Sequence, residues 1–308
     1  MSVAGTYFYV VGRPHSGSTI LDILLGNGPE VAGIGQLVSG MGKTADFCAC
    51  GATIGDCPFW REVRERVAAA GIPWEEAVDA STGQAHVRSF LRTLLARPDD
   101  RRLSRLAVIT HAIQTALREV SGKPHMLDSS KEPTRALFLA KHCPQVRFLR
   151  LVRHPCSSVA SHYWRLRDKG YFHFLRKDRR QPALAPLFLI LAAASWTIGN
   201  LLGEIAMRHA RGRVLVLRYE DLRDDPQAAL RRIEAAFGLD LSAVIEQVRI
   251  GAPLSAGHVI GGNGIRLEHG LRFDAAKERS RPPLPRWLEL TTLLLCWPMM
   301  GRYGYRSR

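Results

Sequence analysis

The chain has 308 residues, of which 46% are hydrophobic and 23% are charged. This balance supplies ample apolar material for a core and excludes an intrinsically disordered chain. Lysine and arginine outnumber aspartate and glutamate by 43 to 28, which gives a net charge of +15. Such a surplus favours anionic partners. The sequence has no interleaved aromatic and basic patch and no helix-turn-helix pattern, so a nucleic acid is not expected among them.

Short apolar runs alternate with helical patterns along the chain, which predicts βαβ units around a parallel sheet. Strands are predicted at residues 6–11, 31–34, 126–128, 147–152 and 214–217. Helices are predicted at residues 18–25, within 85–120 and at 226–237. Leucine, isoleucine and valine recur at helical spacing in the second of these regions and would line one face: Leu103, Leu106, Ile113, Leu117 and Val120.

These elements predict a single α/β domain over residues 1–308, with three layers and a mainly parallel central sheet flanked by helices. A loop and helical insertion is expected at about 38–122, and a further helical region at about 162–205. The apolar run at residues 7–11 is too short for the core of a signal peptide, so a cytoplasmic location is expected.

Two longer apolar stretches, residues 184–202 and 288–300, are interpreted as buried helices. Basic residues surround both stretches, so a peripheral contact with a membrane stays open.

Three of the six cysteines, Cys48, Cys50 and Cys57, lie close together in a glycine-rich loop at residues 38–60. A tetrahedral zinc site needs four ligands, and no fourth lies nearby in the sequence. A structured turn is the simpler interpretation, and no metal is expected.

The segment Gly12-Arg-Pro-His-Ser-Gly-Ser-Thr19, here called the phosphate loop, lies between a predicted strand and a predicted helix. Its glycines allow backbone N–H groups to turn around an anion, and the helix that follows offers free N–H groups and a positive dipole end. The segment is not a nucleoside-triphosphate loop of the Walker type, because Ser18 stands where that pattern requires lysine.

The phosphate loop resembles the 5'-phosphosulfate loop of sulfotransferases that use 3'-phosphoadenosine 5'-phosphosulfate (PAPS). The resemblance implies that PAPS is the co-substrate and that the loop binds it through Arg13, Pro14, His15, Ser16, Gly17, Ser18 and Thr19. The family usually has lysine or arginine where this chain has His15. His15 is then expected to contact the transferring group or the bridging oxygen, with Arg13 as an alternative source of fixed charge.

Four further motifs resemble the same family. Arg153 follows a predicted strand and Ser161 lies eight residues later, a spacing similar to that of the site for the 3'-phosphate. Lys131 ends another strand, where it would neutralise charge on the transferring group. A glycine-rich loop at residues 258–266 implies a cover over the nucleotide, with Arg266 on the 3'-phosphate. The segment Tyr-Glu-Asp-Leu at residues 219–222 is interpreted as architectural.

The resemblance implies transfer of a sulfuryl group from PAPS, without a metal, to a hydroxyl or amine on a carbohydrate, a lipid or a small metabolite. The regions around residues 60–120 and 165–180 are expected to shape the acceptor site. The catalytic candidates are His15, Lys131 and Gln36.

The general base stays open, because Gln36 occupies a position where related enzymes often have glutamate. The alternatives are Glu30, His15, His111 or an unidentified carboxylate, with Gln36 only orienting the acceptor. Two other functions remain alternatives: a P-loop-type kinase, and a catalytically impaired protein that binds PAPS or its product, adenosine 3',5'-bisphosphate.

Overall fold

A sheet of five parallel strands runs through the part of the chain that the structure, a computed structural model, describes: residues 5–97, 99–169, 181–274 and 283–305. The strands are β1 (Tyr7–Gly12), β2 (Val31–Gly35), β3 (His125–Lys131), β4 (Val146–Val152) and β5 (Val214–Arg218). Their order in the sheet is β2-β3-β1-β4-β5. The predicted three-layer α/β fold is confirmed.

The central strand β1 pairs with β3 on one side and with β4 on the other, so that Tyr7 lies opposite both Met126 and Val146. The chain crosses from one half of the sheet to the other between β3 and β4. The carboxyl ends of β1, β3 and β4 therefore meet where the strand order reverses, which is the place where open parallel sheets bind ligands.

Helices cover both faces of this sheet. Before β3 they are α1 (Ser18–Gly26), α2 (Leu37–Gly40), α3 (Pro58–Ala69), α4 (Trp74–Thr82), α5 (Val87–Leu95) and α6 (Arg101–Ser121). After β3 they are α7 (Pro133–His142), α8 (Pro155–Lys169), α9 (Gln181–Met207), α10 (Tyr219–Asp224), α11 (Pro226–Phe237), α12 (Ser242–Arg249) and α13 (Arg286–Met300).

Strand β1 is buried on both faces, as expected for a central strand of a parallel sheet. Tyr7, Tyr9 and Val11 point into the core under α3, α6 and α7. Phe8 and Val10 point the other way, into the core under α1, α11 and α12. The alternation follows from the two-residue period of a strand, and it fixes the direction in which the phosphate loop leaves the sheet.

Strand β3 is longer than the sequence predicted, because its polar residues are buried rather than exposed. The carboxylate of Asp128 accepts hydrogen bonds from the hydroxyl of Tyr7 at 2.9 Å and from the backbone N–H of Ser130 at 2.9 Å. The hydroxyl of Ser130 in turn accepts from the N–H of Val38 at 2.9 Å. These bonds satisfy the polar groups, so the strand continues to Lys131.

Helices α9 and α13 pack against each other and bury residues such as Trp196 and Leu288. The interpretation of both as buried helices is wrong for their outer face, where large apolar side chains are exposed: Leu187, Leu191, Ile198, Leu201, Trp287, Leu290, Leu294 and Trp297. We call this set the α9–α13 face. By length and composition alone, Pro186–Ala210 would be sufficient to span a bilayer.

Candidate active site

A cavity of about 670 Å³ opens where the carboxyl ends of β1, β3 and β4 meet. This volume lies in the range of small-molecule and cofactor sites. Its walls come from six parts of the chain: the phosphate loop with the start of α1, Gln36, the end of β3, Arg153 with Ser161, Tyr219 with Arg223, and several residues between 262 and 274. The topology alone brings these segments together, because they lie far apart in the sequence.

The phosphate loop turns sharply between β1 and α1. His15 and Gly17 both have positive φ angles, 64° and 90°. A Cβ atom added to Gly17 would lie 2.1 Å from the ring of Tyr219, so both the backbone and the space require glycine here. Helix α1 begins immediately afterwards, with no acidic residue in its first turn and no side-chain cap. Its positive end is therefore uncompensated beside the cavity.

Arg153 follows β4 and lies directly against the phosphate loop. Its Nη1 donates to the backbone oxygen of His15 at 2.9 Å, and its guanidinium carbon lies 4.4 Å from the centre of the Tyr219 ring. The indole of Trp196 donates to the Arg153 carbonyl at 3.0 Å. Ser161, on α8, lines the same cavity. The arginine is thus fixed from both sides, and a planar guanidinium so fixed suits bidentate phosphate binding.

The segment at residues 219–222, interpreted from the sequence as architectural, also forms part of the site. Tyr219 packs on Gly17 and lines the cavity. Glu220 accepts hydrogen bonds from the backbone N–H of His154 at 2.9 Å and from the hydroxyl of Tyr305 at 2.6 Å. Glu220 thus holds His154, the residue next to Arg153, in position.

Lys131 is a buried lysine at the end of β3 with a φ of 72°, a strained value for a residue with a side chain. Its Nζ donates to the carbonyl of Ser129 at 3.0 Å. Burial lowers the pKa of Lys131 to about 8, although Glu132, Asp22 and Asp128 oppose this shift. The ammonium group is therefore a titratable charge at the cavity wall near neutral pH.

Glu132 lies next to Lys131 and lines the cavity. Burial raises its pKa, against the opposing effect of the charges on Lys131 and Arg13. A carboxylate with a raised pKa is a stronger base than one with the ordinary value. Glu132 was not predicted as a site residue, because the predicted strand ended at residue 128, four residues before it.

Most of the residues that the sequence predicted for the site line this one cavity: Arg13, Pro14, His15, Gly17, Ser18, Thr19, Gln36, Lys131, Arg153 and Ser161. Ser16 is buried beneath the loop. The guanidinium of Arg13 turns toward α9, where Nη2 donates to the hydroxyl of Ser195 at 3.1 Å. The ring of His15 lies edge-on to that of His162 on α8, with 4.3 Å between the ring centres. The sequence did not predict this contact.

Arg266 is not among the residues that line the described cavity. Its guanidinium donates to the carbonyl oxygens of Phe47 at 3.1 Å and Asn263 at 3.2 Å. The neighbouring Asn263 lies in the cavity wall instead, where its N–H donates to the Thr19 hydroxyl at 3.2 Å. Arg266 thus stabilises the glycine-rich loop by linking it to Phe47, and it does not line the cavity.

Two of the alternative bases lie away from the cavity. Glu30 precedes β2, at the opposite edge of the sheet, and its carboxylate accepts from the N–H of Asp240 at 2.7 Å. His111 is exposed on α6. Neither lines the cavity, whereas His15 does, together with the carboxylates of Glu132, Glu268 and Asp274.

Comparisons with known proteins agree with this geometry. A model of the sulfotransferase family matches residues 8–243 of the chain. No curated protein matches it by sequence. Among solved structures, the sulfotransferase domain of the Synechococcus PCC 7002 olefin synthase is 20% identical with a TM-score of 0.53, covering 98% of this chain and 95% of that one.

Two other structures have the same fold. The sulfotransferase domain from the curacin biosynthetic pathway is 18% identical with a TM-score of 0.52, and both chains are covered in full, 100% each. Sulfotransferase STF9 from Mycobacterium avium is 15% identical with a TM-score of 0.52, covering 99% of this chain and 78% of that one. The family match over most of the sequence, on a fold that these structures share, identifies the chain as a member of the sulfotransferase family.

Proposed function

We propose that this sulfotransferase takes its sulfuryl group from PAPS and transfers it to a hydroxyl or amine of an acceptor. The observation that carries the proposal is that the phosphate loop and the Arg153–Ser161 pair line a single cavity. PAPS carries phosphate groups at two positions, so it requires two separate anion sites within the reach of one nucleotide.

The two anion sites differ in chemistry. At the phosphate loop, backbone N–H groups and the positive end of α1 would hold the 5'-phosphosulfate. At the other site, Arg153 would bind the 3'-phosphate through its guanidinium, with the hydroxyl of Ser161 beside it. Because Ser18 replaces the lysine of a Walker loop, the γ-phosphate of ATP would find no lysine clamp.

In the proposed reaction, the acceptor oxygen or nitrogen forms a bond to sulfur as the bond from sulfur to the phosphate oxygen breaks. Lys131 and His15 would stabilise the negative charge on the departing phosphate, together with the N–H groups of the loop. Glu132 would accept the proton that the acceptor loses. Gln36, which lines the same cavity, would orient the acceptor through its amide.

The test is sulfuryl transfer from labelled PAPS, without added divalent metal, to a panel of hydroxyl and amine acceptors. We expect labelled products from PAPS and none from labelled ATP with Mg²⁺. Phosphoryl transfer from ATP would instead support a P-loop-type kinase. Retention of adenosine 3',5'-bisphosphate without turnover on any acceptor would support an impaired binding protein, which the carboxylate of Glu132 in the cavity argues against.

We also propose that the α9–α13 face lies against an anionic membrane, which would favour a lipid or lipid-linked acceptor. The face exposes two tryptophans among six aliphatic residues, and tryptophan is favoured at the membrane–water interface. The net charge of +15 favours an anionic surface. The indole of Trp196 in α9 holds Arg153 within the fold, so this helix would lie on the membrane rather than cross it.

Sedimentation with phosphatidylserine-containing vesicles tests the membrane contact. We expect the wild-type protein to pellet with them and the double variant Trp287→Ser/Trp297→Ser to stay in solution. Ile250→Ser is the matched control, because Ile250 is equally exposed but lies at the end of α12. Equal sedimentation of the wild-type protein and the double variant would overturn the proposed contact.

A further inference from the structure

We propose that Cys48, Cys50, Cys57 and His258 form a tetrahedral zinc site with a structural role. Each residue offers one ligand atom, and the four atoms all lie within 4.8 Å of one another. The sequence showed only the three cysteines, because His258 is separated from Cys57 by 201 residues. Three thiolates and one imidazole are a common ligand set of structural zinc.

Three of the distances between the ligand atoms lie close to those of a tetrahedron around zinc. The sulfur atoms of Cys50 and Cys57 lie 3.6 Å apart. The Nδ1 atom of His258 lies 3.3 Å from the sulfur of Cys57 and 3.9 Å from that of Cys48. Zinc–sulfur bonds of about 2.3 Å and zinc–nitrogen bonds of about 2.0 Å place such atoms about 3.5 to 3.8 Å apart in a tetrahedron. Zinc would bind once the most distant ligand atoms, which lie within 4.8 Å of each other, move about 1 Å closer.

A disulfide is a poorer explanation of the same cluster. Its sulfur atoms would lie about 2.0 Å apart, well below the 3.6 Å between Cys50 and Cys57. All six cysteines of the chain are free in the structure. A disulfide would also leave the third thiol and the imidazole in contact with no common partner.

The surroundings of the cluster hold the ligands in place. The ring of His258 stacks on Phe59, with 4.8 Å between centres and an angle of 5°. The indole of Trp60 donates to the His258 carbonyl at 2.9 Å. On the cysteine side, the N–H of Cys48 donates to the carbonyl of Ala52 at 2.9 Å. Such outer contacts orient metal ligands before the metal binds.

The zinc site would fasten the glycine-rich loop to the body of the protein. Two residues after His258, Ile260 accepts from the backbone N–H of Gln36 at 2.7 Å. Further on, Asn263 reaches Thr19 in the phosphate loop. The metal thus lies behind one wall of the cavity, and its four ligands are not among the residues that line that cavity. With four protein ligands the zinc would have no open position for catalysis, so its role would be structural.

Elemental analysis of the full-length protein tests the proposal. We expect about one zinc per chain, retained through dialysis. Cys50→Ser removes an exposed ligand, and His258→Gln removes the distant one; both variants should lose the zinc. Cys156→Ser is the matched control, because Cys156 lies on α8 outside the cluster, and it should keep its zinc.

Cobalt binding and chelation provide readouts that do not depend on sulfotransferase activity. Cobalt(II) added to the metal-free wild-type chain should give the intense visible absorption of a tetrahedral thiolate site. A chelator should lower the Tm of the wild-type protein by about 5 °C or more and leave that of Cys50→Ser unchanged. Absence of zinc after expression in zinc-supplemented medium, with no tetrahedral cobalt spectrum, would overturn the proposal, as would a Cys50–Cys57 disulfide found by mass spectrometry.

Discussion

The guanidinium of Arg153 donates a hydrogen bond to the backbone oxygen of His15 at 2.9 Å, across 138 residues of sequence. The two residues leave neighbouring strands, β4 and β1, at the same edge of the sheet. The phosphate loop and the strand-end arginine are therefore adjacent, as a single nucleotide with phosphates at both ends would require. An arrangement with the two residues at opposite poles of the molecule would have ruled out a common ligand.

The contact between Gly17 and Tyr219 predicts that Gly17→Ala disrupts the phosphate loop. The added Cβ would lie 2.1 Å from the tyrosine ring, at a φ of 90° that a side chain disfavours. We expect a loss of about 2 kcal/mol in the free energy of unfolding and at least about tenfold weaker binding of adenosine 3',5'-bisphosphate.

Thermal unfolding and calorimetry measure both effects. Gly83→Ala is the matched control, because a Cβ at Gly83 meets no atom within 4 Å. The account of the loop fails if Gly17→Ala binds the nucleotide as tightly as Gly83→Ala does.

The lowered pKa of Lys131 predicts an alkaline limit to activity. The ammonium form is the one that stabilises the departing phosphate, and it is lost as the pH rises through the pKa of about 8. We therefore expect kcat/KM to be constant well below pH 8, to be about halved near pH 8 and to fall further above it, because this parameter reports the ionisation of the free enzyme.

The variants of Lys131 separate its charge from its shape. Lys131→Met should lose most activity and the alkaline limb. Lys131→Arg should retain part of the activity with the limb moved to higher pH, because a guanidinium keeps its proton. Lys43→Arg, at an exposed position, should keep the wild-type profile. An unchanged alkaline limb in Lys131→Arg would assign the titration to another group.

Glu132 is the carboxylate that we expect to act as the general base. Glu132→Gln should lower kcat by about 10²- to 10⁴-fold and leave the affinity for adenosine 3',5'-bisphosphate nearly unchanged. Gln36→Ala should mainly raise the KM for the acceptor, because Gln36 has no proton to accept. Single-turnover kinetics with bound PAPS isolate the chemical step. If Glu132→Gln keeps the wild-type rate of the chemical step, Glu132 is not the base.

Much of the fold follows from the sequence by simple periodicity. The five strands were predicted from short apolar runs, and the helix Pro226–Phe237 from its helical pattern. Asp225 caps that helix by accepting from the N–H of Ala228 at 2.9 Å, a common role of an aspartate that immediately precedes a helix. Leu103 and Leu117 of α6 are buried on one face, which confirms the predicted pattern.

The features that the sequence did not reveal depend on contacts between distant segments. The strand was predicted to end at Asp128, because the sequence does not show that the hydroxyl of Tyr7 donates to its carboxylate. Glu132 gains its raised pKa from burial, which no local pattern shows. His258 joins the cysteines only in three dimensions. Residues 170–180 of the basic stretch expected to shape the acceptor site lie outside the described residues.

Calorimetric titration with adenosine 3',5'-bisphosphate tests the central claim most directly. Three proteins are compared: the wild type, Arg153→Ala, and the control Arg147→Ala, which removes an exposed arginine from the other end of β4. We predict binding by the wild type and the control, and an affinity reduced by about 10- to 100-fold in Arg153→Ala. No binding by the wild type, or equal binding by wild type and Arg153→Ala, would contradict the account.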